Sequence, residues 1–163
     1  MGRSVAFGAI DTMQPNDLKV VTLEAAGGVV LRPLTHETYE VVVCGRSLTG
    51  LWALPKGKPN GDELPLATAV REVHEETGLR VTAGPLIDEV RYAFYRPADR
   101  ALCQKVVRFF LMSPVGGDIS EHDAEFDHVV WLPTSEAMAR LTYENETRIL
   151  EKALAMAKGP AGR

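Results

Sequence analysis

Segments in which apolar residues alternate with polar ones, or run together, recur between glycine-, proline- and polar-rich stretches. Alternation is typical of a strand with one buried face, and a continuous β-branched run is typical of a strand buried on both faces. We therefore predict five strands, at residues 20–33, 39–46, 79–95, 101–112 and 126–133. In the first strand, Gly27 and Gly28 indicate either a bulge or a close approach of other backbone.

The helical period of apolar residues appears in three other segments. Helices are predicted at residues 65–77, 134–141 and 144–158. Pro65 suits a first helical turn and Gly78 suits a C-terminal stop. The last helix has an apolar face made of Ile149, Leu150, Ala153, Leu154 and Ala157. Residues 47–62, rich in glycine and proline, are predicted to form a loop.

This order of elements predicts an α+β fold, an α/β/α sandwich with helices on both faces of a mixed sheet. Residues 1–19 show no sustained period and are predicted to form an N-terminal arm. Residues 20–158 are predicted to form the domain, and residues 159–163 a short tail. A chain of 163 residues is long enough for one domain with a sizeable core.

Composition and charge narrow the class of protein. The chain is 45% hydrophobic and 25% charged, and its net charge of -4 argues against a nonspecific binder of nucleic acid or of membrane surfaces. No apolar run reaches the ~18 residues of a membrane span, and no signal peptide is evident. Cys44 and Cys103 lie in apolar runs, which favours buried free thiols. We expect a cytoplasmic enzyme or binding protein.

Three glutamates, Glu72, Glu75 and Glu76, crowd one side of the predicted helix 65–77. At ~100° per residue they span an arc of roughly 100°, beside an apolar stripe that would pack on the sheet. Such like charges repel one another, and acids near a helix C-terminus oppose its dipole. A solvated acidic face is the simple interpretation. The alternative is a bound divalent cation, which would offset the repulsion between the carboxylates. A cluster of carboxylates with no thiols or paired histidines suits a hard cation, Mg²⁺ or Mn²⁺.

The stretch from Gly57 to Leu79 resembles the signature of the Nudix hydrolases, G-x5-E-x7-R-E-U-x-E-E-x-G-U, where U is aliphatic. Its fixed positions are filled by Gly57, Glu63, Arg71, Glu72, Val73, Glu75, Glu76, Gly78 and Leu79. A chance match of this kind has a probability on the order of 10⁻⁷. The order of the flanking strands also resembles the family's fold, over about residues 20–157.

The resemblance implies hydrolysis of a pyrophosphate bond in nucleoside diphosphate-linked compounds, with Mg²⁺ or Mn²⁺ as cofactor. Metal ions that bridge phosphate oxygens neutralise charge that would repel an attacking hydroxide. The implied metal ligands are Glu72, Glu75 and Glu76, with a main-chain carbonyl at Lys56 or Gly57. Arg71 and Glu63 match residues that pair with each other and support the site from behind.

The resemblance implies further site residues outside the glutamate cluster. A loop before a late strand often supplies another carboxylate, for which Glu125 is the candidate and Glu121 the reserve. A solvated loop acid is the alternative interpretation of Glu125. The general base is left open between Glu125 and a glutamate of the motif. Lys56 and Lys58 flank Gly57 and would meet phosphate oxygens.

The segment LWALPKGK resembles the approach to the motif in diadenosine polyphosphate hydrolases, where a downstream aromatic residue stacks on a base. Tyr95 is the candidate for this role. Tyr92 and Phe94 lie on the opposite face of the same strand, and the sequence leaves open which set belongs to the core. The other candidate substrate contacts are Lys105, Arg108 and Tyr143.

We therefore expect a metal-dependent hydrolase of dinucleoside polyphosphates, with a small nucleotide as its partner and neither nucleic acid nor membrane. Within the same class, the alternative is a pyrophosphohydrolase of nucleoside triphosphates, including oxidised ones. From another class, the alternative is a nucleotide-sensing module without turnover. The sensor is disfavoured because every glutamate of the motif is present.

Overall fold

The computed structural model describes residues 18–159. The strands in this part of the chain are β1 (Lys19–Pro33), β2 (Tyr39–Arg46), β3 (Leu51–Ala53), β4 (Lys56–Gly57), β5 (Leu79–Arg96), β6 (Ala101–Gly117) and β7 (His128–Pro133). The helices are α1 (Pro65–Thr77), α2 (Thr134–Arg140) and α3 (Glu144–Lys158). Most of the predicted arm and tail lies outside the described residues, although Lys19 already belongs to β1.

The sheet is mixed, and β1 joins its two halves. Residues 19–30 of β1 pair in parallel with β6, which forms a long antiparallel hairpin with β5. The last residues of β1, 31–33, pair antiparallel with β2, which also pairs with β3 and β7. The resulting strand order is β3-β2-β1-β6-β5, with β5 at one edge.

Two apolar cores lie on opposite faces of this sheet. On one face α1 packs through residues such as Val73 against Val42. On the other face α2 and α3 pack, with Leu150 joining a cluster that includes Val41 and Phe109. Because neighbouring strand residues point to opposite faces, Val41 and Val42 serve different cores. Helices therefore cover both faces, and the predicted α+β sandwich is confirmed.

The glycine pair in β1 marks a close approach of backbone. A Cβ atom on Gly27 would overlap the carbonyl oxygen of Pro55, and Gly28 N donates a hydrogen bond of 3.2 Å to that same oxygen. Ala26 and Gly27 also pair with β4. The absence of side chains thus lets the segment before α1 lie directly against β1.

The prediction of a loop at residues 47–62 was wrong in part, because β3 and β4 lie within it. Strands of three and two residues are too short to show a period in the sequence. Cys44 and Cys103 are buried free thiols, as predicted. In the described part of the chain, no helix has both the length and the apolar character needed to cross a membrane.

Candidate active site

A cleft of about 710 Å³ lies between α1, the segment around β4, the β5–β6 hairpin and the start of α3. Of the residues predicted from the sequence, those that line it are Lys56, Gly57, Lys58, Glu72, Glu76, Lys105, Glu125 and Tyr143. The predicted residues that do not line it are Glu63, Arg71, Glu75, Tyr95 and Arg108. The structure thus brings most of the predicted site together and places the rest behind it or on another face.

The backbone around α1 explains how its glutamates reach the cleft. Pro65 occupies the first helical turn, and Gly78 ends the helix with φ of 78°, donating its N–H to His74 O at 2.8 Å. Val73 is fully buried against the sheet. This anchoring leaves the acidic side of the helix facing the segment 54–63 and the cleft.

Glu76 is the most buried of the three glutamates, with only 1% of its surface exposed. Its carboxylate accepts a hydrogen bond of 3.0 Å from Lys56 N. Burial raises the pKa of Glu76 to about 8. The charges of Glu125 and Glu72 also raise this pKa, whereas the hydrogen bond from Lys56 N lowers it. A cation at this position would stabilise the ionised form that a metal ligand needs.

Glu72 lies directly against Gly57. A Cβ atom on Gly57 would overlap the Glu72 carboxylate and displace it from this position. Burial is also the main cause that raises the pKa of Glu72, and Arg71 opposes it. The Gly57 backbone and the Glu72 carboxylate are therefore packed together at one end of the cleft.

Arg71 holds the outer side of the same helix. Its Nε and Nη2 donate to the two oxygens of Glu63 at 3.0 and 2.9 Å, and Nη2 also donates to Lys58 O at 2.8 Å. Nη1 lies 3.0 Å from Glu72 and 3.1 Å from Glu75. The Arg71 hydrogen bonds lower the pKa of Glu63 to about 2. Arg71 and Glu63, implied as a pair by the resemblance, are thus in contact and tie the loop to the helix.

Glu125 reaches the cleft from the loop before β7. Arg46 donates through Nη2 to its carboxylate and through Nε to its main-chain oxygen, both at 3.2 Å. The Arg46 guanidinium also lies 4.7 Å from the ring centroid of Phe126. Glu121, the reserve candidate, belongs to a short 3₁₀ turn and does not line the cleft. Arg46 was not predicted as a site residue.

The three cleft lysines have different partners. Lys56 Nζ pairs with the Glu146 carboxylate at 2.7 Å. Lys58 and Lys105 form no ion pair with any acidic residue in the range 18–159. Burial, followed by the charges of Lys56 and Lys58, lowers the pKa of Lys105. Among the described residues that line the cleft, Lys58 and Lys105 are thus the two cations without an acidic partner, and they are available to an anionic ligand.

Strand alternation decides which aromatic and basic residues of the hairpin reach the cleft. Tyr92 lies opposite Lys105 in the β5–β6 register, and both line the cleft. Tyr95 lies three residues beyond Tyr92 and therefore on the other face. Arg108 lies three beyond Lys105 and pairs with Glu89 at 2.9 Å instead. Tyr95 and Arg108, which were expected to contact the substrate, therefore do not line this cleft.

Four polar residues that line the cleft in the described structure were missed from the sequence, namely Arg46, Tyr92, Asn145 and Glu146. Tyr92 was considered, but alternation alone did not identify the cleft face. Glu146 lies three and four residues before Ile149 and Leu150, on the apolar face of α3. An acid in that apolar stripe was the available signal, because a buried carboxylate needs specific partners.

The chemical types of the cleft residues suit a hard divalent cation. Glu72, Glu76 and the nearby main-chain carbonyls offer only oxygen donors, which suit Mg²⁺ or Mn²⁺. In residues 18–159, no three acidic, histidine or cysteine side chains converge as a ready-made cage. Glu72 and Glu75 both contact Arg71, but only Glu72 also lines the cleft, and Glu125 is paired with Arg46. A metal centre would therefore use Glu72 and Glu76 first.

The sequence profile of the NUDIX domain matches residues 22–153. This chain belongs to the Nudix family. It is 34% identical over 139 residues to an 8-oxo-(d)GTP phosphatase of Mycolicibacterium smegmatis, covering 80% of this chain and 41% of that protein. It is 32% identical over 127 residues to a MutT-like protein of Streptomyces ambofaciens, covering 78% of this chain and 74% of that protein.

The chain therefore spans less than half of the mycobacterial relative. Among solved structures, the binary complex of a C. elegans Ap4A hydrolase has the same fold, with a TM-score of 0.65 and 21% identity. The match covers 85% of this chain and 99% of that one. The likeness confirms the Nudix fold predicted from the motif.

Proposed function

We propose that this Nudix domain is a metal-dependent pyrophosphohydrolase of nucleoside polyphosphates. The observation that carries the proposal is the distribution of charge in one cleft. Two motif carboxylates, Glu72 and Glu76, line one part of it, and two lysines without acidic partners among the described residues, Lys58 and Lys105, line another. A polyphosphate fits this arrangement, because some of its oxygens would bind a cation held by the carboxylates and others would bind the lysines.

Each group has a distinct task in this proposal. Glu72 and Glu76 would hold the divalent cation, which would neutralise phosphate charge and lower the pKa of water. Lys58 and Lys105 bind non-bridging phosphate oxygens. Glu125, half exposed at the rim, is the candidate to take a proton from the attacking water. Water oxygen then bonds to phosphorus as the bridging P–O bond breaks.

The first candidate substrate is a purine nucleoside triphosphate, oxidised forms included. It is supported by the 34% identity to the 8-oxo-(d)GTP phosphatase. Dinucleoside polyphosphates, the first expectation from the sequence, are the second candidate. A cleft of about 710 Å³ with Tyr92 and Tyr143 among its lining residues favours them, because it has room for more than one nucleoside.

Product analysis tests the proposal. The protein, with Mg²⁺ or Mn²⁺, is incubated with 8-oxo-dGTP, dGTP, diadenosine tetraphosphate, a nucleotide sugar and ADP-ribose, and the products are separated by chromatography. A monophosphate plus pyrophosphate, or a diphosphate plus orthophosphate, from a triphosphate supports the first candidate. ATP plus AMP, or two ADP, from the dinucleotide supports the second. Tight binding without turnover of any substrate would contradict hydrolysis and favour the sensor module.

A further inference from the structure

Glu146 is a buried acid that the Nudix motif does not include. It lies in the first turn of α3 and is only 4% exposed. Oε1 accepts a hydrogen bond of 2.7 Å from Leu54 N, and Oε2 accepts one of 2.7 Å from Lys56 Nζ. Ninety residues separate Glu146 from Lys56 along the chain, so this contact joins the C-terminal helix to the segment before the motif.

The same segment is held from its other side by α1. Lys56 N donates to the Glu76 carboxylate at 3.0 Å, while the side chain of Lys56 reaches Glu146. Leu54 and Lys56 are thus fixed by two carboxylates from two helices. Gly57 follows at once and packs against Glu72. The position of this backbone therefore depends on Glu146 as well as on the motif.

The ion pair also changes the expected role of Lys56. A lysine already paired at 2.7 Å with a buried carboxylate would have to leave that partner to bind phosphate. Breaking this ion pair would leave the Glu146 carboxylate charged and unpaired in a buried site, which is energetically unfavourable. Lys58 and Lys105 line the same cleft without an acidic partner in the described part of the chain.

We propose that Glu146 is a positioning residue that holds Lys56 and the backbone of residues 54–57 against Glu76, leaving the phosphates to Lys58 and Lys105. The proposal rests on the proposed function for its kinetic consequences only. Its structural part concerns a clamp between α3, the segment 54–57 and α1. The two parts can therefore be tested separately.

The kinetic test compares Glu146→Gln, Lys56→Met and the double variant. A glutamine amide can still accept from Leu54 N, but it cannot hold the ammonium group as a carboxylate does. We expect each single change to lower kcat about 10- to 100-fold, as loss of a residue that orients metal ligands does, with KM within about threefold. The kcat of the double variant should be no lower than that of the less active single variant, because the two residues act as one unit.

Two comparison variants sharpen this test. Glu144→Gln makes the same chemical change two residues earlier on α3, where the side chain is 81% exposed, and should leave kcat and KM unchanged. Lys58→Ala should instead raise KM with little effect on kcat. A rise of KM in Lys56→Met that Glu146→Gln does not share would make Lys56 a phosphate ligand and overturn the proposal.

The structural test needs no substrate. Hydrogen exchange of the Leu54 and Lys56 amides is followed in the metal-free protein, with circular dichroism to confirm folding. We expect exchange at least about tenfold faster in Glu146→Gln, because a neutral amide holds Leu54 N less strongly than a carboxylate does and the ion pair with Lys56 is lost. Exchange should be unchanged in Glu144→Gln. If Glu146→Gln does not fold, hydrogen exchange of the Leu54 amide is measured in Lys56→Met instead, where it should also be faster than in the parent. Unchanged exchange in these variants would overturn the clamp, even if the protein hydrolyses polyphosphates.

Discussion

The acidic row of α1 has an outer and an inner side, and the two are compensated differently. On the outer side, Glu75 is 47% exposed as a side chain and lies 3.1 Å from Arg71, which also contacts Glu72 and Glu63. On the inner side, Glu76 is 1% exposed and receives a hydrogen bond from Lys56 N. Within residues 18–159, this main-chain N–H is the only hydrogen-bond donor to Glu76, and the Lys56 ammonium group pairs with Glu146 instead.

This difference explains why three like charges can be kept on one helix. The fold neutralises the outer carboxylates with an arginine, whose planar fork meets several oxygens at once. It leaves the inner carboxylate facing a cleft in a desolvated site, where the charged form is unfavourable. The uncompensated charge is therefore on the side where the proposed cation and its polyphosphate would lie. Four predictions test this contrast.

The largest effect is expected for Glu76→Gln. Loss of an inner ligand should lower kcat about 1,000-fold, which corresponds to the several kcal/mol that a catalytic metal supplies. Above pH 8, where Glu76 is ionised, the metal-free variant should be as stable as the parent or more so, because a buried charge is removed. Steady-state kinetics and thermal unfolding with a chelator measure both. A lower Tm together with retained activity would show that Glu76 is structural and not a metal ligand.

The pH dependence of stability tests the inner side without substrate. The pKa of Glu76 is raised from 4.5 to about 8 in the folded state, so the folded protein holds this proton more tightly than the unfolded chain does. Its contribution to stability is therefore complete below pH 4.5 and is lost as the pH rises through about 8. We expect a loss of about 3–4 kcal/mol in the metal-free protein over this range.

Glu76→Gln is the control for this pH dependence, since glutamine does not titrate. Denaturant unfolding at several pH values, with a chelator present, should show the loss in the parent and a flatter profile in the variant. Added Mg²⁺ should stabilise the parent more at pH 8 than at pH 5, because binding needs the ionised carboxylate. Equal slopes in parent and variant would mean that Glu76 is ionised throughout.

On the outer side, Arg71→Gln should destabilise the fold even without metal. The change leaves Glu63, Glu72 and Glu75 without their shared cation, and we expect a loss of about 2 kcal/mol in the free energy of unfolding. Arg148→Gln is the matched control, because its pair with Glu144 is exposed and should contribute under about 0.5 kcal/mol. Similar losses in both variants would show that Arg71 acts as an ordinary surface charge.

The sequence predicted the outer elements of this site better than the inner ones. The motif spacing places Glu72, Glu75 and Glu76 on one helix, and the bounds of α1 follow from Pro65 and Gly78, which act within a single turn. The helix bounds at 144–158 were also confirmed. These features depend on local rules of periodicity and capping, which a single sequence contains.

The inner wall depends on contacts between distant segments. Glu146 meets Lys56 across ninety residues, and Arg46 meets Glu125 across seventy-nine. No local pattern specifies such pairs. Alternation in β5 defines two faces, but it does not indicate which of them lines the cleft. Tyr95 was therefore predicted as the substrate contact, whereas the structure places Tyr92 in the cleft. The packing of α3 on the sheet decides this, and it is a property of the whole fold.

The smallest expected effect separates the two faces of a single strand. Lys105 and Arg108 both lie in β6, but Lys105 lines the cleft whereas Arg108 pairs with Glu89 and Glu24 on the opposite face. Lys105→Ala should raise KM about fivefold, about 1 kcal/mol, with kcat little changed, because it removes a contact made equally in the ground and transition states. Arg108→Ala should leave KM unchanged. A rise of KM in Arg108→Ala alone would place the phosphates on the outer face and reverse the assignment of the cleft.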